Sequence, residues 1–549
     1  MNKLVLHQVP EYETFDGFID GIRALAGPKP AVSWFTRRQE RRCYTYEQFT
    51  DHIYALREAL RLRGLAGKHI AIISENSYEW LVAYMAAASC GAVAVCIDAE
   101  QSDDTIRQML SLVDVHAAFV YGTYISICQS VLPREYLFCL SEGTESDGFS
   151  TYATLVEEGR NSLNATSERV KYDLDPNQTA SIVFTSGTSS LAKPVMLTHR
   201  NILKNATDAM RYVMTYERVF THLPFYHSYG MTCGVISTLV HSGEVIINGN
   251  LRTVSRDMLL ANADTIMTVP LLLETIVNQI WLTAEKSGQA ARLKKAFAIV
   301  RILHKLGIHP RIAALDEIRK KAFGSIHVVI AGGAALSTTV EETLSLLDLT
   351  VLQGYGISEC SPLVAVNTNT FRRFGSVGPI LDSFESKIVD GEIWLKGPSV
   401  MPGYYNAPEL TAEVMEDGWF KTGDIGYIDK NGFLFLTGRK KNLIVFKNGK
   451  KIAPEKMEEL IGRIPLVREV VVYGAANGDS ADAIKLAASI YPDPDRSQGM
   501  SSYDILASLQ KSIDEINATL PLYQHILMIN IQKEPFAKTG TKKIKRHMV

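Results

Sequence analysis

Cysteine is scarce: seven residues among 549, an odd number with no C-x-x-C pair. That excludes a disulfide framework and fits a reducing, cytoplasmic compartment. Cys96 and Cys360 lie beside notable segments but read as small buried residues rather than nucleophiles. An excess of charge is also missing. Lys and Arg number 57 against 59 Asp and Glu, a net charge of −2, so the balance does not point to nucleic acid. Residues Met1 to Phe15 lack the apolar stretch of a signal peptide, and neither repeats nor low-complexity tracts are present. The longest apolar run, Leu81 to Ile97, approaches the roughly 20 residues of a membrane span. It is rich in alanine and broken by Ser89 and Gly91, so it reads as a buried helix ending near Cys90, then a strand from Ala92 to Val95.

What is present is an ordinary globular composition, 46% hydrophobic and 21% charged, in a chain too long for one core. Helical stretches such as Tyr46 to Leu62 alternate with short β-rich runs such as Ile70 to Ile73. Val328 to Ala331 is a further strand, stopped by Gly332-Gly333, and Thr338 and Glu341 have capping-box spacing for the helix that follows. The class is α/β: a large N-terminal domain, residues 1–438, of mixed and mostly parallel sheets. Turn-rich short strands over about 376–438 form a small β-subdomain within it. Past Arg439 comes a small α+β domain, residues 439–549, with strands at Val470 to Val472 and Ile484 to Tyr491. In such folds ligands sit beyond the carboxyl ends of strands, where Gly332-Gly333, Gly354-Tyr355-Gly356 and the segment after Thr185 would converge.

That last segment is the most informative. Phe184-Thr185-Ser186-Gly187-Thr188-Ser189-Ser190-Leu191-Ala192-Lys193 follows a short strand and precedes a helix marked by Ile202, Leu203, Ala206 and Met210. A strand–loop–helix unit of this kind offers N–H groups, hydroxyls and one ammonium to a polyphosphate. The Walker pattern fails, because the second Gly is missing and Pro194 follows Lys193.

Four further motifs follow in order: Gly354-Tyr355-Gly356-Ile357-Ser358-Glu359, Trp419-Phe420-Lys421-Thr422-Gly423-Asp424, Thr437-Gly438-Arg439-Lys440-Lys441, and Lys538 to Arg546. Together they resemble the adenylate-forming superfamily, and most closely its long-chain fatty acyl-CoA synthetases. The resemblance implies two steps. A carboxylate attacks the α-phosphorus of ATP, giving acyl-adenylate and pyrophosphate; a thiol then takes the acyl group and releases AMP. Both partners in the first step are anionic, so cations and donors must neutralise and align them.

The resemblance assigns roles residue by residue. Thr185, Ser186, Gly187, Thr188 and Lys193, in the loop 184–195, hold the β- and γ-phosphates. Glu359 binds Mg²⁺, and Ser358 stands where the family usually has Thr. Tyr355 stacks on adenine, with Gly333, Ala334, Ala335, Gly354 and Gly356 around it. Asp424 and Arg439 take the ribose. Lys543 stabilises the first transition state, although Lys542 replaces the usual Gly before it. Lys441 is the hinge of a mobile C-terminal domain, and Gly449 lets the pantetheine arm of coenzyme A pass. Ser190 and Pro194 replace glycines and stiffen the phosphate loop.

His227, in Leu223-Pro224-Phe225-Tyr226-His227-Ser228, matches the acyl-CoA synthetase pattern, and no Asp nearby offers a partner to an amino-acid ammonium. The segment 281–323 is a basic helical insert carrying Lys286, Arg292, Lys294, Lys295, Arg301, Lys305, Arg311, Arg319, Lys320 and Lys321 between apolar Leu293, Phe297, Val300 and Leu303. It is either a solvated face over the large domain or a peripheral contact with an anionic inner membrane face. The expected substrates are a medium to long fatty acid, ATP with Mg²⁺, and CoA. The alternatives are transfer to a carrier protein's phosphopantetheine and a nucleotide-binding relative without turnover.

Overall fold

The computed structural model describes residues 4–140, 148–166, 169–186, 192–308, 310–446, 450–477, 480–538 and 544–546. The chain divides into two compact units, residues 1–385 with 396–420, and residues 386–395 with 421–549.

Two sheets organise the first unit. One has eight strands, in the order Leu363–Val366, Thr350–Gly356, Val328–Ala331, Thr265–Thr268, Arg218–Thr221, Glu244–Ile247, Pro30–Phe35 and Arg41–Thr45. The six inner strands run parallel and both edges are antiparallel. The other has seven, in the order Ser150–Thr151, Leu137–Cys139, Val115–Val120, His69–Ile73, Val93–Cys96, Thr179–Ser186 and Ala192–Thr198. Only its last pair is antiparallel. The inner strands are continuous apolar runs, such as the fully buried Val328–Ala331, because helices cover both faces of a parallel sheet.

The helices Tyr46–Leu62 and Tyr78–Ser89 stand where the sequence places them. The second is buried at every position except Glu79 and packs against the first, with the rings of Trp80 and Tyr84 stacked at 5.6 Å. Burial on all sides explains its transmembrane-like composition. Among the described residues no helix is long and apolar enough to cross a membrane. All seven cysteines are free thiols.

Two local expectations fail. The phosphate segment is not strand–loop–helix: the antiparallel strand Ala192–Thr198 intervenes, and the helix His199–Tyr212 begins only after it. Lys193-Pro194 therefore belongs to a hairpin arm, away from the positive end of that helix. The capping box at Thr338 and Glu341 is also absent. The N-cap is Ser337, without a side-chain bond, because the Glu341 carboxylate turns instead to Gln353 and Gly375.

Short strands fill the 376–438 stretch as expected: Glu385–Val389, Glu392–Lys396, Met415–Glu416, Trp419–Ile428 and Leu434–Arg439. In the second unit, Ser480–Pro492 lies between Val467–Asn477 and Ile526–Ile531. Its core joins Met457 and Ile461 of the helix Pro454–Gly462 to Leu509 and Ile513 of Ser502–Asn517 and to Leu486 and Ile490 of the sheet.

Candidate functional site

Four parallel strands of the eight-stranded sheet end together. The register sets Ala331 beside both Thr268 and Gln353, so Gly332-Gly333-Ala334-Ala335 leaves the sheet beside Gly354-Tyr355-Gly356, which stays within the strand Thr350–Gly356, paired with Leu363–Val366, rather than lying beyond its end. Gly333 takes φ +85°, a conformation costly for other residues, and a Cβ on Gly356 would lie 2.4 Å from the Pro362 carbonyl oxygen. Ala334 and Ala335 are exposed, whereas Tyr355 is buried. Gln353 spans the two segments: its amide oxygen accepts the Leu336 N–H at 3.4 Å and its NH₂ donates to Glu341 at 2.8 Å.

The neighbouring strand Arg218–Thr221 leads into His222 to Ser228. Asn76, just beyond the strand His69–Ile73, donates to the Leu223 carbonyl at 2.8 Å and accepts the Phe225 N–H at 2.9 Å. It thereby ties the carboxyl ends of the two sheets. The chain then winds into a π-helix, Tyr229–Ile236, a form concentrated at functional sites. Gly230 is required there, because a Cβ would fall 2.1 Å from the Pro224 carbonyl oxygen. His227 is half-buried and its Nδ1 accepts the Tyr229 N–H at 3.4 Å. The Ser228 hydroxyl donates to Ser358 at 3.2 Å, joining this segment to the Ser358–Glu359 turn. His222, which the sequence reading passed over, is buried and bonds the Thr268 hydroxyl at 2.9 Å. Burial pulls its imidazole down to about 4, so it is neutral near pH 7.

The hairpin of Thr179–Ser186 and Ala192–Thr198 meets the same turn. Thr185 sits opposite Lys193 and Phe184 opposite Pro194. The segment Gly403 to Tyr405 lies along the outer arm: Val195 bridges Tyr404, the Met196 N–H donates to Gly403 O at 3.1 Å, and the Tyr405 N–H donates to Pro194 O at 2.8 Å. The Tyr404 hydroxyl donates to Glu359 Oε1 at 2.9 Å, and the Lys193 ammonium lies 5.2 Å from the centre of the Tyr404 ring. Glu359 is also held through its backbone, whose carbonyl accepts the Met401 N–H at 2.8 Å. Behind it, Asn205 donates to the carbonyls of Cys360 and Leu363 at 3.2 and 2.8 Å. Gly187, Thr188, Ser190 and the side chain of Ser186 lie outside the described residues. Sequence reasoning missed Tyr404; the available signal was an aromatic pair directly after Pro402-Gly403.

In the second unit, Asp424 and Arg439 are cross-strand partners, and Arg439 Nε lies 2.7 Å from Asp424 Oδ1. The two residues expected on one sugar thus already form an ion pair, with Asp424 buried. Lys440 makes a parallel pair with Glu392 at 2.8 Å, and Lys441 is exposed in the turn Lys440–Asn442. Gly449, Lys542 and Lys543 lie outside the described residues. The residues flanking that tail are fixed: Lys538 pairs with Glu469 and Arg546 with Glu458, while Lys538 and Ile544 share a β-bridge.

Among the described residues no cluster of three or more His, Cys, Asp or Glu side chains could hold a metal unaided. A lone carboxylate beside hydroxyls and a lysine instead fits Mg²⁺ carried largely by substrate phosphates and water.

A family model described as AMP-binding enzyme matches residues 24–405, and one described as AMP-binding enzyme C-terminal domain matches residues 441–549. The chain is 26% identical over 536 residues to the long-chain-fatty-acid–CoA ligase FadD15 of Mycobacterium bovis, covering 88% of this chain and 86% of that protein. It is 27% identical over 545 residues to the chloroplastic long-chain-fatty-acid–[acyl-carrier-protein] ligase AEE15 of Arabidopsis thaliana, covering 83% and 73%. Among solved structures, the anthranilate CoA ligase AuaEII in complex with anthranoyl-AMP matches with a TM-score of 0.79 at 18% identity, covering 98% of this chain and 97% of that one. The o-succinylbenzoate CoA synthetase MenE of Bacillus subtilis with ATP and magnesium matches at 0.72 and 20%, covering 96% and 98%. At such identities the likeness is one of fold.

Proposed function

The chain belongs to the AMP-binding enzyme family, and from that premise we propose that it is an ATP-dependent, AMP-forming fatty acid–CoA ligase. The observation that supports this best is the contact of Lys193 and Glu359 through Tyr404, which brings a cation for phosphates and a carboxylate for a metal to one place. Mg²⁺, when bound, spreads the charge of the departing pyrophosphate. The chain's own residues do the rest. Lys193 and the Thr185 hydroxyl hold the β- and γ-phosphates, and Ser358 orients the α-phosphate. Tyr355 and Gly333 to Ala335 take the base, and Asp424 with Arg439 takes the ribose. His227 borders the acyl carboxylate. Lys543 supplies the cation at the crowded phosphorus, Lys441 serves as hinge at the start of the domain 439–549, and Gly449 clears the path of the thiol.

Pyrophosphate release tests the reading, with fatty acids of about six to about eighteen carbons set against amino acids. Free CoA set against a loaded carrier protein then identifies the acceptor. The carrier protein is the second reading, favoured by the likeness to the Arabidopsis enzyme. Pyrophosphate exchange that prefers an amino acid would overturn both.

Delivery of the acyl chain involves a lipid surface. Residues 286–315 contain seven Lys and Arg and no Asp or Glu. On the helix Ala290–Lys305, Leu293, Phe297 and Val300 face the core. Ile299 and Ile302 are exposed on the opposite side, as is Leu306 just beyond the helix, beside exposed Arg292 and Lys295. Aliphatic side chains among cations suit an anionic bilayer better than a polyanion, which has no use for the apolar part.

A further inference from the structure

Tyr404 belongs to none of the sequence motifs, yet it touches two of them. It is 4% exposed, and its backbone is fixed: besides the bridge to Val195, its N–H donates to the Thr411 hydroxyl at 3.0 Å. Gly403 admits no side chain there, because a Cβ would lie 2.9 Å from the Thr411 side chain. The Tyr404 hydroxyl is the donor in its bond to Glu359, whose carboxylate oxygens accept. The aromatic face meanwhile carries the Lys193 ammonium within cation–π range.

We propose that Tyr404 is a positioning residue that holds the Glu359 carboxylate and the Lys193 ammonium in one geometry, so that the metal and the polyphosphate are taken up as a unit. This rests on the reading of Glu359 as the metal carboxylate and Lys193 as a phosphate ligand. By donating to Oε1, the hydroxyl fixes the rotation of the carboxylate that would hold the metal. The ring holds Lys193 so that its long side chain need not be ordered anew when phosphate arrives.

Two substitutions separate these effects. Tyr404→Phe keeps the ring and removes only the hydroxyl. It should weaken Mn²⁺ binding in the presence of a non-hydrolysable ATP analogue by about 10- to 100-fold. Electron paramagnetic resonance of Mn²⁺ reads this without turnover. Metal-free binding of the analogue should stay within about twofold, the ring being intact. Tyr404→Leu removes the ring too and should weaken metal-free nucleotide binding as well. In a Glu359→Ala background, Tyr404→Phe should change Mn²⁺ affinity no further. Unfolding midpoints without ligand check that each variant is folded. Unchanged Mn²⁺ affinity in Tyr404→Phe, with affinity lost in Glu359→Ala, would overturn the positioning role and leave the metal reading standing. Unchanged affinity in Glu359→Ala would overturn the metal reading, and the proposal with it.

Discussion

The Glu341 carboxylate accepts the Gln353 side-chain amide at 2.8 Å, and the same oxygen accepts the Gly375 N–H at 3.1 Å. Gln353 directly precedes Gly354-Tyr355, and its amide oxygen accepts the N–H of Leu336, which directly follows Ala335. Glu341 thus braces, through one side chain, both segments proposed to take adenine.

Burial pushes the Glu341 carboxyl up from 4.5 to about 7, against the lowering effects of the Gly375 and Gln353 donors and the Arg372 charge. The sign follows directly. Below about pH 4.5 the group is protonated in both states. Between there and pH 7 the unfolded chain ionises while the fold keeps its proton, so stability falls, and above pH 7 the loss is complete. A shift of this size corresponds to about 3 kcal/mol. Glu341→Gln keeps an acceptor oxygen and cannot ionise. Its urea midpoint relative to the parent should rise between pH 5 and pH 8. A difference that stays constant across that range would show that the carboxyl does not titrate there.

The sequence revealed most where the signal is local. Tyr46–Leu62 carries a Thr45–Gln48 capping box, and Val328–Ala331 ends at two glycines, so both were legible to the residue. Glu341 misled because its spacing fits a cap while a distant amide competes for it. Ala192–Thr198 was hidden because Lys193-Pro194 reads as loop, and only the pairing with Thr179–Ser186 makes it a strand. Tyr404 acquires its role by meeting Val195 and Glu359, both far upstream in the chain, and no local pattern encodes that.

Asn201 offers a graded test of how the site is supported. Its Oδ1 accepts the Thr198 N–H at 3.0 Å in a capping box, while its NH₂ donates to the Pro398 and Val400 carbonyls at 2.6 and 3.1 Å, holding the stretch that leads to Tyr404. Thr198→Ala should cost about 1 kcal/mol, the value of a cap. Asn201→Ala should cost more, about 2–4 kcal/mol, since it also strips donors from two carbonyls. It should raise the KM for ATP as well. Equal losses of stability in urea titrations would mean that the 398–400 contact contributes nothing.

The basic insert makes a salt-dependent prediction. Arg319 is buried and pairs with Asp316, Lys320 pairs with Asp316, Lys321 with Glu317 and Arg301 with Glu342. Of the exposed cations that remain, Arg292, Lys294 and Lys295 cluster at the start of the helix Ala290–Lys305 and are the ones to neutralise. At about 1 kcal/mol each, the triple Gln variant should lose roughly 10²-fold in affinity for anionic liposomes. Parent binding should weaken with added salt, as the screening length shrinks below about 8–10 Å. Ile302→Asp should impair retention at low and high salt alike. Co-sedimentation unaffected by either change would leave the helix with only its packing against Trp281 and Leu346.

The two half-reactions give the sharpest prediction. On the role proposed for Lys543, Lys543→Ala removes a cation from the place where charge crowds during adenylation, and losing one such positioned donor costs about 3–4 kcal/mol, roughly 10²–10³ in rate. The variant should stop releasing pyrophosphate from acid and ATP yet still convert supplied acyl-adenylate and CoA to thioester. Gly449→Leu should do the reverse, because a side chain would block the approach of the thiol. Lys542→Ala is the control, and its ammonium should be dispensable. The flanking anchors sharpen the comparison. Lys538 on Glu469 and Arg546 on Glu458 anchor the flanking residues, and a single alanine between them leaves both pairs intact. If Lys542→Ala stops adenylation and Lys543→Ala spares it, the catalytic lysine is one residue earlier. If Lys543→Ala and Gly449→Leu each abolish both half-reactions equally, these residues do not divide the work between two arrangements of the C-terminal domain.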